Sequence, residues 1–237
     1  MSTLYVIPTP IGNIGDITVR AIDVLKKLEI LLSEDTRMTS KLLGLLEIES
    51  KTKRLINYFD HNESGRIPEV IEILNSGIDV GIVSDAGTPV INDPGYKLIR
   101  EIRKAGSHKI EVLPGATSIT TALVASGLAP DKFSFIGYLP RKTGELTRLL
   151  NSISESNEII KSTYIAFESP YRIIKTLELL NDVYSNKAEI SVCKELTKMH
   201  EEVFCGTALE ILSELKVNKF ASKGEIVLLI NLNNKNG

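Results

Sequence analysis

Val80-Gly81-Ile82-Val83-Ser84-Asp85-Ala86-Gly87-Thr88-Pro89 is the stretch whose reading decides the fold class. Its first four residues read as a continuous apolar strand, and the strand runs directly into a polar loop punctuated by Gly87 and Pro89. The same grammar recurs on both sides. Leu4–Ile7 ends in Pro8-Thr9-Pro10-Ile11-Gly12-Asn13, Ile30–Leu32 is cut by Ser33-Glu34-Asp35-Thr36-Arg37, and Ile110–Leu113 stops at Pro114-Gly115. Between these runs lie helical faces. Val19, Ile22, Leu25 and Leu28 recur every third residue behind a cap at Asp16 or Thr18, Ile67, Val70, Ile71 and Leu74 end at Gly77, and Ala116–Ser126 follows the last loop. Strands alternating with helices predict an α/β chain whose first half has mostly parallel strands.

The second half continues with strands expected at Phe133–Leu139, Thr163–Phe167, Glu189–Cys193 and Glu225–Ile230. Helical faces are expected through Ile173, Ile174, Leu177 and Leu180, and through Leu209, Leu212 and Leu215. The break at Pro114-Gly115 is the expected boundary between two α/β domains, residues 1–114 and 115–237. No repeat of period 20–50 is visible.

The 237 residues are 43% hydrophobic and 24% charged, which excludes a disordered or collagenous chain. With 28 basic and 30 acidic residues the net charge is −2, so nucleic acid binding through bulk positive charge is excluded, while a local basic patch is not. Two cysteines, Cys193 and Cys205, and three scattered histidines provide neither a disulfide framework nor a metal-ligand spacing, so no metal is expected. No signal peptide is visible, and no apolar run approaches the roughly 18–20 residues that span a bilayer. These features predict a cytoplasmic protein without a membrane association.

In open parallel sheets, ligands bind beyond the carboxyl ends of the strands. Four strand-end loops here are rich in Gly, Pro, Ser, Thr and Asp: Pro8–Asn13, Ser33–Arg37, Ser84–Pro89 and Pro114–Ser118. A single such loop is a turn, whereas four in one half-chain favour a ligand site. Dinucleotide binding lacks its GxGxxG, of which Gly12-Asn13-Ile14-Gly15 is only a fragment. The stretch from Gly137 to Thr143 has the ends of a phosphate loop without its second glycine, and no GxSxG elbow is present.

Taken in order, TPIGN, SEDTR, FDHNE, VSDAGTPVINDPGYKLIR, LPGATSITTALVASGL, FIGYLPRK, FESPYRI, KELTKMHEEVFCGT and KGEIVLLI resemble the ribosomal RNA small subunit methyltransferase I family of the tetrapyrrole-methylase superfamily. The resemblance runs from Leu4 to Ile230. It implies two α/β domains with a cofactor cleft between them, and S-adenosylmethionine-dependent 2′-O-methylation of a decoding-site cytidine in small-subunit rRNA. It also implies a homodimer. The alternatives are a tetrapyrrole methylase of the same superfamily, which does not need the LPRK and ELTK cations, and a nonenzymatic ribosome-assembly factor that binds the cofactor.

The resemblance carries cofactor contacts onto Asp85 and Thr88, onto Ser118 and Ile119, and onto Ile11 as an apolar neighbour. Physically, Asp85 can accept from the donor's ammonium or merely cap its turn. Ser118 and free N–H groups at a helix start suit a carboxylate, although Thr117 or Ser118 can equally be a helix cap. Ile11 fits a core as well as a ligand. Glu34, Arg37 and His61 are the candidates beside an acceptor ribose, with a structural Glu34–Arg37 salt bridge as the rival reading. For RNA the candidates are Arg37, Arg141, Lys142, Lys194 and Lys198. Tyr58, Phe59, Tyr138, Phe167 and Tyr171 fall near motif loops, where each either stacks a base or fills the core.

Overall fold

The apolar run Val80–Val83 forms β4 and takes the centre of a five-stranded sheet. Its neighbours are β1 (Thr3–Val6), β2 (Ile30–Ser33), β3 (Arg54–Asn57) and β5 (Lys109–Val112), in the order β3-β2-β4-β1-β5 with every pair parallel. A parallel sheet must be covered on both faces because its connections are helical crossovers. On one face α3 (Glu63–Asn75) and α4 (Tyr96–Ala105) place Val70, Leu74, Leu98 and Ile102 against Leu4, Val6, Leu32 and Ile82. On the other, α1 (Val19–Lys27) and α2 (Thr36–Leu45) bring Ala21, Leu25 and Leu43 onto Ile7, Leu31 and Val83. Each such leucine or isoleucine contributes about 1.5–3 kcal/mol by leaving water.

The computed structural model describes residues 2–217 and 223–232, and the chain divides into two units, Met1–Thr117 and Ser118–Gly237. The second unit opens with α5 (Ser118–Ser126) and holds β6 (Phe133–Tyr138), α6 (Thr143–Ile159), β7 (Thr163–Glu168), α7 (Ile173–Tyr184), β8 (Glu189–Lys194), β9 (Glu202–Gly206), α8 (Ala208–Val217) and β10 (Ile226–Asn231). Its sheet runs β6-β7-β10-β8-β9, with β6 and β7 parallel and the other pairs antiparallel. Leu150 and Ile153 of α6, Leu177 and Leu180 of α7 and Ile211 and Leu215 of α8 close one face over Ile190, Val192, Leu228 and Ile230. Helix α5 packs beside β8, β9 and β10. The fold is two α/β domains.

Helix α1 begins where the sequence signals it, since the Thr18 hydroxyl accepts from Ala21 N at 3.1 Å. Of the three-residue spacing read through it, Leu25 and Leu28 are buried and Ile22 packs against the same cluster, whereas Val19 is 75% exposed and Ala21 takes the first place in the core. Leu209 likewise lies outward on α8, while Ile211, Leu212 and Leu215 are buried. Helices α2, α4 and α6 and strands β3 and β9 have no counterpart in the sequence reading.

Gly81 sits where β4 is flanked by β1 and β2, and a Cβ there would lie 2.7 Å from Leu31 Cδ2 and 2.8 Å from Leu28 Cδ1, both buried. Gly81→Ala is therefore expected to destabilise the chain by about 1–3 kcal/mol through overpacking. Urea denaturation followed by circular dichroism measures it; an unchanged midpoint would show that the leucines rotate away at no cost.

Candidate functional site

Because every strand of the first sheet points the same way, the loops after β1, β2, β3, β4 and β5 gather at one edge. Two of them are tied together by backbone, and a third joins through side chains. Thr9 N donates to Gly87 O at 2.9 Å and Gly87 N returns a bond to Thr9 O at 3.1 Å, an isolated antiparallel bridge between the loops after β1 and β4. Thr9 Oγ1 also donates to Ser84 O, and Ser84 Oγ to Gly87 O, each at 3.1 Å. Gly87 has φ 85°, which a side chain disfavours, and a Cβ there would lie 3.1 Å from Ile11 Cγ2. The loop after β5 joins through Thr88 Oγ1, which donates to Ala116 O at 3.0 Å, and through Gly115, where a Cβ would come within 2.5 Å of the Pro8 ring.

Carboxylates crowd this edge. Asp35 caps α2, accepting from Arg37 N at 2.9 Å, and its other oxygen takes Arg37 Nη2 at 2.6 Å. These bonds hold its pKa down at about 2. Asp35 N in turn donates to Asp85 Oδ1 at 3.2 Å, linking the loops after β2 and β4. Partial desolvation raises the pKa of Glu34, and the negative charges of Asp85, Asp60 and Asp35 raise it further. Partial desolvation also raises Asp85, against the hydrogen bond from Asp35 N. Asp93 is pushed furthest, to about 7, by burial and then by Glu34, while a hydrogen bond with Ser84 opposes the rise. Such an edge carries unfavourable like-charge repulsion that a bound cation relieves.

The segment carrying Asp93 is held from beneath by Glu63, the first residue of α3, which is 3% exposed. Its Oε1 accepts from Gly95 N and Lys97 N, both at 3.0 Å, and from Tyr58 Oη at 3.3 Å. A carboxylate accepting backbone N–H groups at the start of α4 is favoured by the helix dipole as well. It holds a segment in which Val90 and Asn92 have φ values of 78° and 66°.

The structure thus brings Ile11, Glu34, Arg37, Asp85 and Thr88 onto one edge of the first unit. The Thr88 hydroxyl proton is already committed to Ala116 O, leaving its lone pairs to a ligand. Arg37 pairs with Asp35, so the salt bridge to Glu34 expected as the rival reading is replaced by one to the adjacent carboxylate. His61 is exposed in the loop after β3, beside Asp60. Ser118 and the buried Ile119 begin α5 in the second unit. There Arg141 and Lys142 are exposed after β6, Lys142 in a surface ion pair with Glu145 Oε1 at 3.2 Å, while Lys198 Nζ is held by both Glu195 Oε1 at 2.8 Å and Glu225 Oε2 at 2.9 Å. Lys194 is 6% exposed and paired with Glu202, and Tyr58 is 1% exposed, so neither offers the surface that phosphate or base contact needs. Sequence reasoning misses Asp93 and Glu63 as site residues although both lie in motifs it singles out, DPG and FDHNE; nothing in the sequence tells which carboxylate of an acidic loop folds inward. Among the described residues no group of three His, Cys, Asp or Glu could hold a metal ion, and no helix is long and apolar enough to cross a membrane.

Residues 3–212 match the tetrapyrrole (corrin/porphyrin) methylases. Among curated relatives, a protein named ribosomal RNA small subunit methyltransferase I from Hydrogenobaculum is 44% identical over 98% of this chain and 96% of its own length. One of the same name from Bacillus subtilis is 39% identical over 97% of this chain and 75% of its own. Among solved structures, the uroporphyrin-III-C-methyltransferase of Thermus thermophilus superposes with a TM-score of 0.62 at 18% identity, over 98% of this chain and 94% of its own. A diphthine synthase reaches 0.69 at 14% identity, over 98% and 90%. At such identities these structures speak to the fold alone.

The Asp93 carboxyl gives the acidic edge a pH signature. Folded, it keeps its proton up to about pH 7; unfolded, it loses it near the ordinary 3.8. Between those values the folded chain binds the extra proton, so its stability falls as pH rises through the window. Asp93→Asn is expected to raise the melting temperature at pH 8 and to leave it nearly unchanged at pH 4. A melting-temperature difference that is the same at both pH values would remove Asp93 as the titrating group.

Proposed function

On the premise that this chain belongs to the tetrapyrrole methylases, and within them to the ribosomal RNA small subunit methyltransferase I family, we propose that it methylates the ribose 2′-hydroxyl of a decoding-site cytidine in small-subunit rRNA. It is an S-adenosylmethionine-dependent methyltransferase. The observation that carries the RNA reading is likeness over nearly the whole chain to relatives of that name. Methylation of a small tetrapyrrole is the alternative that the wider family's description carries.

The carboxyl-end loops of the first unit fit the cofactor. Gly87 leaves room beside Ile11 that a Cβ would fill, Asp85 is exposed to accept from an ammonium, and the surrounding carboxylates favour a cation. When bound, S-adenosylmethionine supplies an electrophilic methyl group on a cationic sulfur. In this reading Ile11, Asp85 and Thr88 hold it, and Ser118 and Ile119 contribute a hydroxyl and helix-start N–H groups to its carboxylate. Glu34, whose partial desolvation and anionic neighbours make it a stronger base than a free glutamate, takes the proton from the ribose hydroxyl as the oxygen attacks. Arg37 and His61 orient that ribose or its phosphate. Arg141 and Lys142 bind RNA phosphates. Lys198 adds least, because two carboxylates already neutralise it. A homodimer acting in the cytoplasm completes the proposal.

Tritium from labelled S-adenosylmethionine is expected in small ribosomal subunits and not in a porphyrinoid. Incorporation into the porphyrinoid alone would overturn the RNA reading, and transfer to subunits carrying deoxycytidine at the target would point to base methylation. Asp85→Ala is expected to weaken S-adenosylhomocysteine binding by about tenfold, as loss of a charge-assisted hydrogen bond does. Calorimetry giving an unchanged affinity would take Asp85 out of the cofactor site.

A further inference from the structure

The parallel strands β6 and β7 end side by side, so the turn Leu139–Lys142 and the turn Ser169–Arg172 emerge at the same edge of the second sheet. One ion pair joins them. Glu168, with a side chain 1% exposed, meets Arg172 Nη2 at 2.8 Å through Oε1 and 2.9 Å through Oε2. The same nitrogen donates to Leu139 O at 3.0 Å and Pro140 O at 3.3 Å, the two carbonyls immediately before Arg141 and Lys142. Thr176 Oγ1 and Ser169 N, each at 2.6 Å, satisfy the remaining capacity of the carboxylate. A buried carboxylate so fully bonded is a fixed anchor, and the guanidinium transmits its position to the neighbouring turn.

Two tyrosines are displayed at this edge, Tyr138 as the last residue of β6 and Tyr171 in the second turn. The register between β6 and β7 shifts between Phe135 and Tyr138, with Gly137 at φ 71°. In an unbroken strand residues three apart face opposite ways, but a bulge re-aims the chain. The rings of Phe135 and Tyr138 therefore both pack edge-on against Phe167, at 5.0 and 5.3 Å between centroids. Tyr138 is backed by Phe167 and still 65% exposed; Tyr171 is 76% exposed. Arg141 and Lys142 are exposed beside them, in a chain whose net charge is −2.

We propose that this edge is a docking face for single-stranded RNA, in which Tyr138 and Tyr171 stack bases, Arg141 and Lys142 hold phosphates, and Arg172 on Glu168 is the positioning residue that sets the turn. Exposed aromatics interleaved with cations are the chemistry that recognises unpaired nucleotides, since every base offers a face and every linkage a charge. A duplex keeps its bases stacked internally and has no face to offer. The face rests on the RNA reading above and gives it a substrate class, unpaired nucleotides rather than helix.

The test uses the full chain and a single-stranded oligoribonucleotide carrying 2-aminopurine, whose fluorescence is quenched on stacking, with the same sequence as a duplex for comparison. Tyr138→Ala with Tyr171→Ala is expected to abolish the quench and to weaken single-strand binding roughly tenfold per ring, while the Phe replacements restore both. Arg172→Ala is expected to lower the slope of log affinity against log salt by about 0.7 for each phosphate left without its cation. Arg141→Ala with Lys142→Ala should match it. Arg172→Lys, which keeps the charge on Glu168 but not the fork, is expected to fall between, and affinity for S-adenosylhomocysteine to stay constant throughout. An unchanged quench in the tyrosine variant, equal losses toward duplex, or a change only in sedimentation (the mark of a face covered by a second copy) would overturn the proposal. Tritium transfer to subunits by the wild type separates the two levels. If transfer occurs while the tyrosine variant binds RNA normally, only the docking face fails; if no transfer occurs, the RNA reading fails as well.

Discussion

The two hydrogen bonds between Thr9 and Gly87 are the constraint on which the candidate site depends. They exist because β1 and β4 are adjacent in the sheet, so the loops that leave them start about one strand spacing apart and can form one antiparallel bridge. With that pairing set, Ser84 closes its own turn on Gly87 O, Thr88 reaches Ala116 O, and Gly115 passes over the Pro8 ring. The glycine at 115 is required by space, and the one at 87 by a positive φ. What results is a backbone frame, tied loop to loop, that carries carboxylates along one edge.

That frame accounts for the electrostatics. Glu34 and Asp85 extend from loops after adjacent strands, and Asp93 returns to them because Glu63 fastens Gly95 and Lys97. Their elevated pKa values follow from desolvation first and mutual repulsion second. An edge of this kind favours a positively charged ligand over its neutral counterpart, as suits a methyl donor whose sulfur loses its charge on transfer. In the second unit, the Arg172–Glu168 pair performs the corresponding task with side chains, holding a turn that backbone pairing does not reach.

Much of this was legible in the chain. Val80–Val83 announced a buried strand because four apolar residues ran into a Gly/Pro loop, and Thr18 announced a helix because its hydroxyl can cap one. Strand β3 was illegible, since Arg54-Leu55-Ile56-Asn57 has only two apolar residues at a sheet edge. Helix α6 is mostly polar and buries little beyond Leu146, Leu150 and Ile153, a stripe its seventeen residues dilute. The strand-end loops pointed to the site, but only folding reveals that Asp35, not Glu34, takes Arg37, or that Lys194 turns inward to Glu202. Local pattern reports on burial of an element; the pairing of charges between loops depends on distances that no local pattern contains.

The central claim is that the loops joined by Thr9 and Gly87 hold the methyl donor. Hydrogen–deuterium exchange with and without saturating S-adenosylhomocysteine measures it most directly, because backbone amides report ligand contact without any substitution. The account predicts slowed exchange in the loops after β1 and β4, residues 9–13 and 84–89. Protection confined to other segments, with these amides exchanging at their ligand-free rates, would contradict it.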